Sequence, residues 1–259
     1  MPNSLFIESI FMSSSVASSL ASVRDRVAAA CAARKSACAA CRLVGVSKLK
    51  PVSTLMEAYE AGLRHFGENY VQEIVAKSAD MPDDVKWHFI GALQTNKVKT
   101  LVRGVPNLYM VESIGSIKLA KMLEKHIGAS ERTERLKVMV QVNTSAEESK
   151  SGAKPEECVD VVKYIIENCS SLRFTGLMTI GKLGDVSSTY FDILSRCRDD
   201  VVDQLGASPE FLDHVKEPSA IELSMGMSSD FELAIASGST NVRIGSTIFG
   251  ARPPKKAVQ

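Results

Sequence analysis

Basic side chains are missing from the first 23 positions of this 259-residue chain, and Glu8 interrupts the short apolar run there. A secretory signal needs a basic start and a longer apolar stretch, and a mitochondrial presequence needs arginines, so neither is expected. Met12 is an equally good start site. No apolar run is long enough to span a bilayer, so the expected location is cytoplasmic. An excess of one charge is missing too: 31 basic against 30 acidic side chains leave +1. That balance offers no electrostatic attraction for nucleic acid or an anionic membrane. Six cysteines are scattered, and Cys38-x-x-Cys41 lacks the second pair or nearby histidine that a zinc site requires. In a reducing cytosol they read as small packed residues. No Gly-rich dinucleotide fingerprint follows the first strand, and there is no internal repeat.

What is there is an alternation. A helix is expected over residues 16–40, where Val16, Leu20, Val23, Val27 and Cys31 form one apolar face. Arg24, Arg26, Arg34 and Lys35 form its exposed side. Strand patterns follow at 42–46, 64–67, 86–90, 108–111, 137–142, 173–178, 221–223 and 242–244. Helical patterns separate them at 54–61, 71–78, 97–102, 117–126, 156–169, 188–205 and 230–236. Such alternation implies parallel strands joined by right-handed crossovers. Eight units of this length fit a closed (β/α)8 TIM barrel with an additional N-terminal helix, in preference to an open doubly wound sheet. Residues 1–14 are expected to be a flexible extension, 15–252 the barrel and 253–259 a flexible tail.

In a barrel the C-terminal ends of the strands share one mouth, and chemistry gathers there. The ends present Lys48; Glu68 and Asn69; His88; Glu112; Asn143 and Thr144; Ser224; and Arg243 with Gly245 and Ser246. Lys48 sits in VSKLKP (46–51), where a strand runs out into a turn. A lysine in water, with a pKa of about 10.4, stays protonated. Repulsion from Lys50, about 2.8 kcal/mol at about 6 Å and an effective dielectric near 20, favours an uncharged amine. Ser224, Gly226 and Ser228-Ser229-Asp230 read as a turn feeding a helix, as do Gly245-Ser246. N–H groups and hydroxyls at such places suit a phosphate. An amine on one side and a phosphate cradle on the other is the layout for pyridoxal 5′-phosphate (PLP). Taken singly, each motif also reads as an ordinary polar turn or helix cap. His88 reads as a structural histidine packed near Trp87, and Lys97 and Lys99 as a solvated face.

VSKLKP, HFGENYVQE (65–73), WHFIGALQTNK (87–97), LSMGMSSD (223–230) and VRIGSTIFGAR (242–252) together resemble the pyridoxal-phosphate homeostasis proteins, single-barrel relatives of the alanine racemase N-terminal domain that lack the C-terminal β domain. The resemblance runs in order from Arg42 to Arg252 and omits the first eleven residues. It implies that Lys48 carries PLP as a Schiff base, and that Ser224, Gly245 and Ser246 hold the phosphate. It also implies Arg243 beside the ring nitrogen and Asn69 near the cofactor, with no metal. The activity it implies is buffering or delivery of PLP in vitamin B6 homeostasis, with PLP-dependent apo-enzymes as recipients. Oligomeric state leaves no mark in the sequence.

A PLP-dependent racemase or weak lyase is the alternative. Racemisation needs a second acid–base group, and Tyr59, Tyr70, Tyr109, Tyr164 and Tyr190 fall on expected helices or inside a strand. The chain ends seven residues after Arg252, which leaves no room for the separate domain that supplies a tyrosine in the alanine racemases. A catalytic pair is therefore not expected. A Schiff-base aldolase using Lys48 without PLP is a third possibility.

Overall fold

The architecture follows from eight short apolar strands, each too buried to face water and each followed by an amphipathic crossover. In this computed structural model, which describes residues 15–34, 40–147, 150–182, 184, 185 and 187–251, they close into an eight-stranded parallel barrel in sequential order. The strands are β1 (Arg42–Val46), β2 (His65–Glu68), β3 (Lys86–Phe89), β4 (Leu108–Ile114), β5 (Leu136–Gln141), β6 (Leu172–Met178), β7 (Glu222–Ser224) and β8 (Asn241–Ile244). Closure is by β1 against β8, with Arg42 opposite Asn241 and Gly45 opposite Ile244.

The helices are α1 (Val16–Ala33), α2 (Val52–Glu60), α3 (Val71–Asp80), α4 (Val98–Gly104), α5 (Ile117–Gly128), α6 (Cys158–Asn168), α7 (Thr189–Leu205), α8 (Pro209–Val215), α9 (Phe231–Ala236) and α10 (Ser246–Phe249). α1 stands before the first βα unit and packs on α2, α9 and α10, across the closure of the barrel. Its Leu20, Val23 and Val27 are buried, as the apolar spacing requires. No helix among the described residues is long and apolar enough to cross a membrane.

Three expectations change. The first helix ends at Ala33, and Arg34 is extended; Lys35 and Cys38 lie outside the described residues, as do residues 1–14 and 252–259. The helix arginines tie α1 down instead of only facing solvent. Arg24 donates to the Ala61 carbonyl (2.7 Å), Arg34 to the Ser239 carbonyl (3.0 Å) and Arg26 to the Glu232 carboxylate. Finally, α8 has no counterpart among the expected helices, although Ser208 at its cap and Pro209 in its first turn are the usual start signals.

The core has two layers. Between sheet and helices lies a continuous apolar cluster that includes Phe66, Trp87 and Phe89. Inside the barrel, Met110, Met139 and Met178 form a small separate cluster against Tyr109. His88 belongs to the lumen and not beside Trp87, because neighbours on a strand point to opposite faces. Its ring lies 5.1 Å from that of His65 and 5.2 Å from that of Tyr109. Tyr109 is the extra residue where the β3–β4 register jumps, since Trp87 pairs with Leu108 and His88 with Met110.

Candidate functional site

At the strand C-termini a cavity of about 310 Å³ opens between the ends of β1, β2, β7 and β8. That volume lies at the lower end of the range for small-molecule sites, roughly 300–1,000 Å³. Lys48, Lys50, Asn69 and Ile90 line it together with Ser228, Ser229, Gly245 and Ser246, the last two following β8, which pairs with β1. Arg243 also contributes to the lining, and Ile180, Met227 and Phe249 add apolar surface.

The Lys48 turn is held from behind. The Lys77 ammonium is buried and donates to the Ser47 carbonyl (2.9 Å) and to the carboxylates of Glu68 (2.7 Å) and Glu73 (2.8 Å). The Ser47 hydroxyl donates to Glu68 (2.7 Å). Leu49 has φ 61°, a left-handed conformation costly for a branched side chain. Its N–H is fixed on Glu73 (2.8 Å). Burial pushes the Glu68 carboxyl up, and Lys77 opposes it. Lys50 donates to the Ala251 carbonyl (2.8 Å), so it braces the β8 end of the cavity.

The part of the lining that follows β7 and β8 is made of backbone and hydroxyls. Gly226 takes φ 94°, and a Cβ there would sit 2.5 Å from that of Ala234, so only glycine makes the turn that brings Ser228 round. The N–H of Gly245 donates to the Ser228 hydroxyl (3.3 Å), which joins the loops after β7 and β8. Asp230 accepts from the Met227 N–H (2.6 Å) and stabilises the same turn.

Five of the six residues singled out in the sequence therefore meet at one cavity: Lys48, Asn69, Arg243, Gly245 and Ser246. Ser224 does not. Its side chain is fully buried and bonds Glu112 (2.5 Å), Asn241 (2.9 Å) and Arg243 (2.5 Å). Ser228 and Ser229, read in the sequence as part of the turn suited to a phosphate, are the hydroxyls of that turn that line the cavity in place of Ser224. None of the five tyrosines lines the cavity. Lys99 instead faces a wider outer groove with Arg103, His126 and Arg132, where Glu131 and Glu134 offset the charge. Cys41 sits beside Cys31, and burial pushes its thiol up to about 12.

The cavity fits a cofactor of the PLP type on its own chemistry. The Asn69 side-chain oxygen is buried at the rim with no hydrogen-bond partner, which is a vacancy for a donor. An amine, a row of N–H and O–H donors and an always-protonated guanidinium surround the same space. A group with an aldehyde, a phosphate and a ring nitrogen has a partner here for each.

Residues 22–253 match the family model for the alanine racemase N-terminal domain. The bovine pyridoxal phosphate homeostasis protein is 48% identical over 224 residues, covering 83% of this chain and 78% of that protein. The protein of that name from Schizosaccharomyces pombe is 45% identical over 218 residues, 83% and 85% of the two chains. Among solved structures, PipY from Synechococcus elongatus with PLP bound is 31% identical. It aligns with a TM-score of 0.70 over 91% of this chain and all of its own. Alanine racemase from Corynebacterium glutamicum shares the fold at 14% identity, with a TM-score of 0.62 over 94% of this chain and 63% of that one. The chain belongs to the pyridoxal phosphate homeostasis proteins, a family built on the alanine racemase N-terminal barrel.

Proposed function

We propose that this protein holds PLP in the mouth cavity, as a Schiff base on Lys48, and serves to buffer or deliver it within the cytoplasm. The observation that carries the reading is convergence. Lys48, Arg243 and the Ser228, Gly245 and Ser246 wall face one cavity in a chain of this family, and the relative PipY has been solved with PLP bound. Bound PLP supplies an aldehyde that an amine captures with loss of one water, and a phosphate dianion that anchors the far end.

Each residue then has a task. Lys48 offers the amine from a turn that Lys77 and Glu73 immobilise. Ser228, Ser229 and Ser246 donate to the phosphate, Gly245 holds the Ser228 hydroxyl beside it through its N–H, and Asn69 takes a donor. Arg243 donates to the ring nitrogen and leaves it unprotonated, which weakens the ring as an electron sink. Ser224 acts one layer below, on Arg243. With no tyrosine on the cavity, the second acid–base group of a racemase is missing from the lining, which favours a carrier over a catalyst. PLP-dependent apo-enzymes are the recipients this role calls for.

The test is the visible spectrum of the purified protein after PLP is added and the excess removed, beside Lys48→Ala. A yellow band in the parent that the variant lacks is the expected result; no band in either removes PLP from this cavity. Amino acids incubated with the loaded protein in heavy water decide the activity. Sustained α-proton exchange at enzymatic rates would sink the carrier reading.

A further inference from the structure

We propose that Glu112, which does not reach the cavity, is a positioning residue: acting through Ser224, it fixes the Arg243 guanidinium as a preset donor and so selects ligands with an unprotonated ring nitrogen. This rests on the PLP reading above.

The hydrogen bonds around Ser224 in the barrel lumen admit one arrangement. Two donors reach the Ser224 oxygen, Arg243 Nη1 at 2.5 Å and Asn241 Nδ2 at 2.9 Å. Both lone pairs are then occupied, and the single hydroxyl proton must go to Glu112 Oε2, 2.5 Å away. The other carboxylate oxygen accepts from His88 Nδ1 (2.6 Å). The Asn241 amide cannot turn over without loss, because its oxygen accepts from Arg42 (3.3 Å). Arg243 Nη2 donates to the Thr179 carbonyl (2.7 Å), so both terminal nitrogens of the guanidinium are engaged.

Charge points the same way. Glu112 is completely buried and Arg243 only 4% exposed, with 4.0 Å between Arg243 Nη1 and Glu112 Oε2. A buried cation needs a counter-charge. Burial alone would push the Glu112 carboxyl up; His88, Arg243 and Ser224 outweigh it and hold it below the ordinary carboxylate range. Glu112, His88, Ser224 and Asn241 are all absent from the cavity lining, so their influence on a ligand passes through Arg243. A guanidinium fixed in this way rewards a lone pair and repels a cationic ring.

The test compares the parent with Ser224→Ala and Glu112→Gln in two measurements. The first is side-chain ¹⁵N NMR of the cofactor-free protein, with the Arg243 signals assigned by Arg243→Lys. The parent should give separate, slowly exchanging guanidinium signals that collapse in both variants. The second is affinity for PLP against N-methyl-PLP, whose ring nitrogen has no lone pair. The parent should prefer PLP by at least about tenfold, as expected for a charge-assisted hydrogen bond, and the preference should vanish in the variants. Folded variants with unchanged signals and unchanged preference would overturn the proposal. If Glu112→Gln does not fold, Ser224→Ala keeps both charges and carries the test alone. If the parent binds no PLP, the functional reading fails, and the cofactor-free NMR still decides whether Glu112 fixes Arg243.

Discussion

Glu73 accepts a 2.8 Å hydrogen bond from the N–H of Leu49, the residue after the candidate lysine and one that sits at φ 61°. A carboxylate on the first turn of α3 thus holds a strained turn at the end of β1. Lys77, one helical turn further on, pairs with both Glu73 and Glu68. The amine-bearing loop is positioned by a buried ion cluster and not by its own sequence.

Replacing Lys77 with Met should therefore damage both stability and the site. It leaves Glu68 buried and unpaired, a change that costs about 3–5 kcal/mol, and it frees the Ser47 carbonyl. Urea unfolding should show the loss, and PLP retention should fall in the folded fraction. A Lys77→Met/Glu68→Gln double variant should recover part of the stability. Retention and stability both equal to the parent would show that the cluster does not hold the turn.

Gly91 should be intolerant of a methyl group for a reason that concerns Asn69. A Cβ at Gly91 would lie 2.0 Å from the Asn69 backbone oxygen, an impossible contact, so Gly91→Ala must push the β2 end away. Overpacking costs typically 1–3 kcal/mol, that is roughly 2 kcal/mol here. Weaker PLP binding should accompany the lowered unfolding midpoint, while Lys48 remains able to trap PLP on borohydride reduction.

Stability should decline as pH falls below about 6.5, before the ordinary carboxylates titrate. Burial, with the charges of His88, Arg42, Lys86 and Lys137, pushes the His65 imidazole down to about 3. Burial and Arg135 push that of His214 down to about 4. Both are neutral in the fold, whereas the unfolded chain takes up their protons below about 6.5. Their contribution is complete above that pH and is lost as pH falls towards 4 and then 3. Denaturation series at pH 7, 6 and 5 should show a slope approaching about two protons per molecule, reduced in His214→Gln. A flat profile over that range would contradict the assignment.

α1 should depend on its apolar face far more than on its arginines. Leu20 is fully buried, and Leu20→Ala should cost about 2–5 kcal/mol. Arg26 and Glu232 are a bidentate pair with half-exposed side chains, so Arg26→Ala should change stability by no more than about 1 kcal/mol. Thermal unfolding of the two variants separates these effects directly.

Period and punctuation carried most of the fold. Strand runs such as 42–46 and 137–142 are apolar and short, helices such as 117–126 are amphipathic, and their alternation admits few parallel topologies. Lys48, Asn69, Arg243, Gly245 and Ser246 were legible because they close strands, and strand ends in a barrel share one mouth. His88 and Ser224 were misplaced for a related reason. Position along a strand tells which end a residue occupies, but alternation turns His88 away from Trp87 into the lumen, and the partners that hold Ser224 below the cavity, Glu112, Asn241 and Arg243, come from other strands. α8 was missed because seven residues carry too little periodicity to outweigh a loop reading.

By itself the sequence determined the barrel, the lysine and the loops that share its cavity, since local hydrophobic period and turn chemistry act over a few residues. Only the tertiary structure decided that Ser224 supports Arg243 from below, that Lys77 clamps the Lys48 turn, and that Glu112 is the counter-charge in the lumen. Those pairings join residues far apart in the chain, 112 positions between Glu112 and Ser224. They exist because burial obliges each polar group to find a partner wherever the closed sheet brings one within reach.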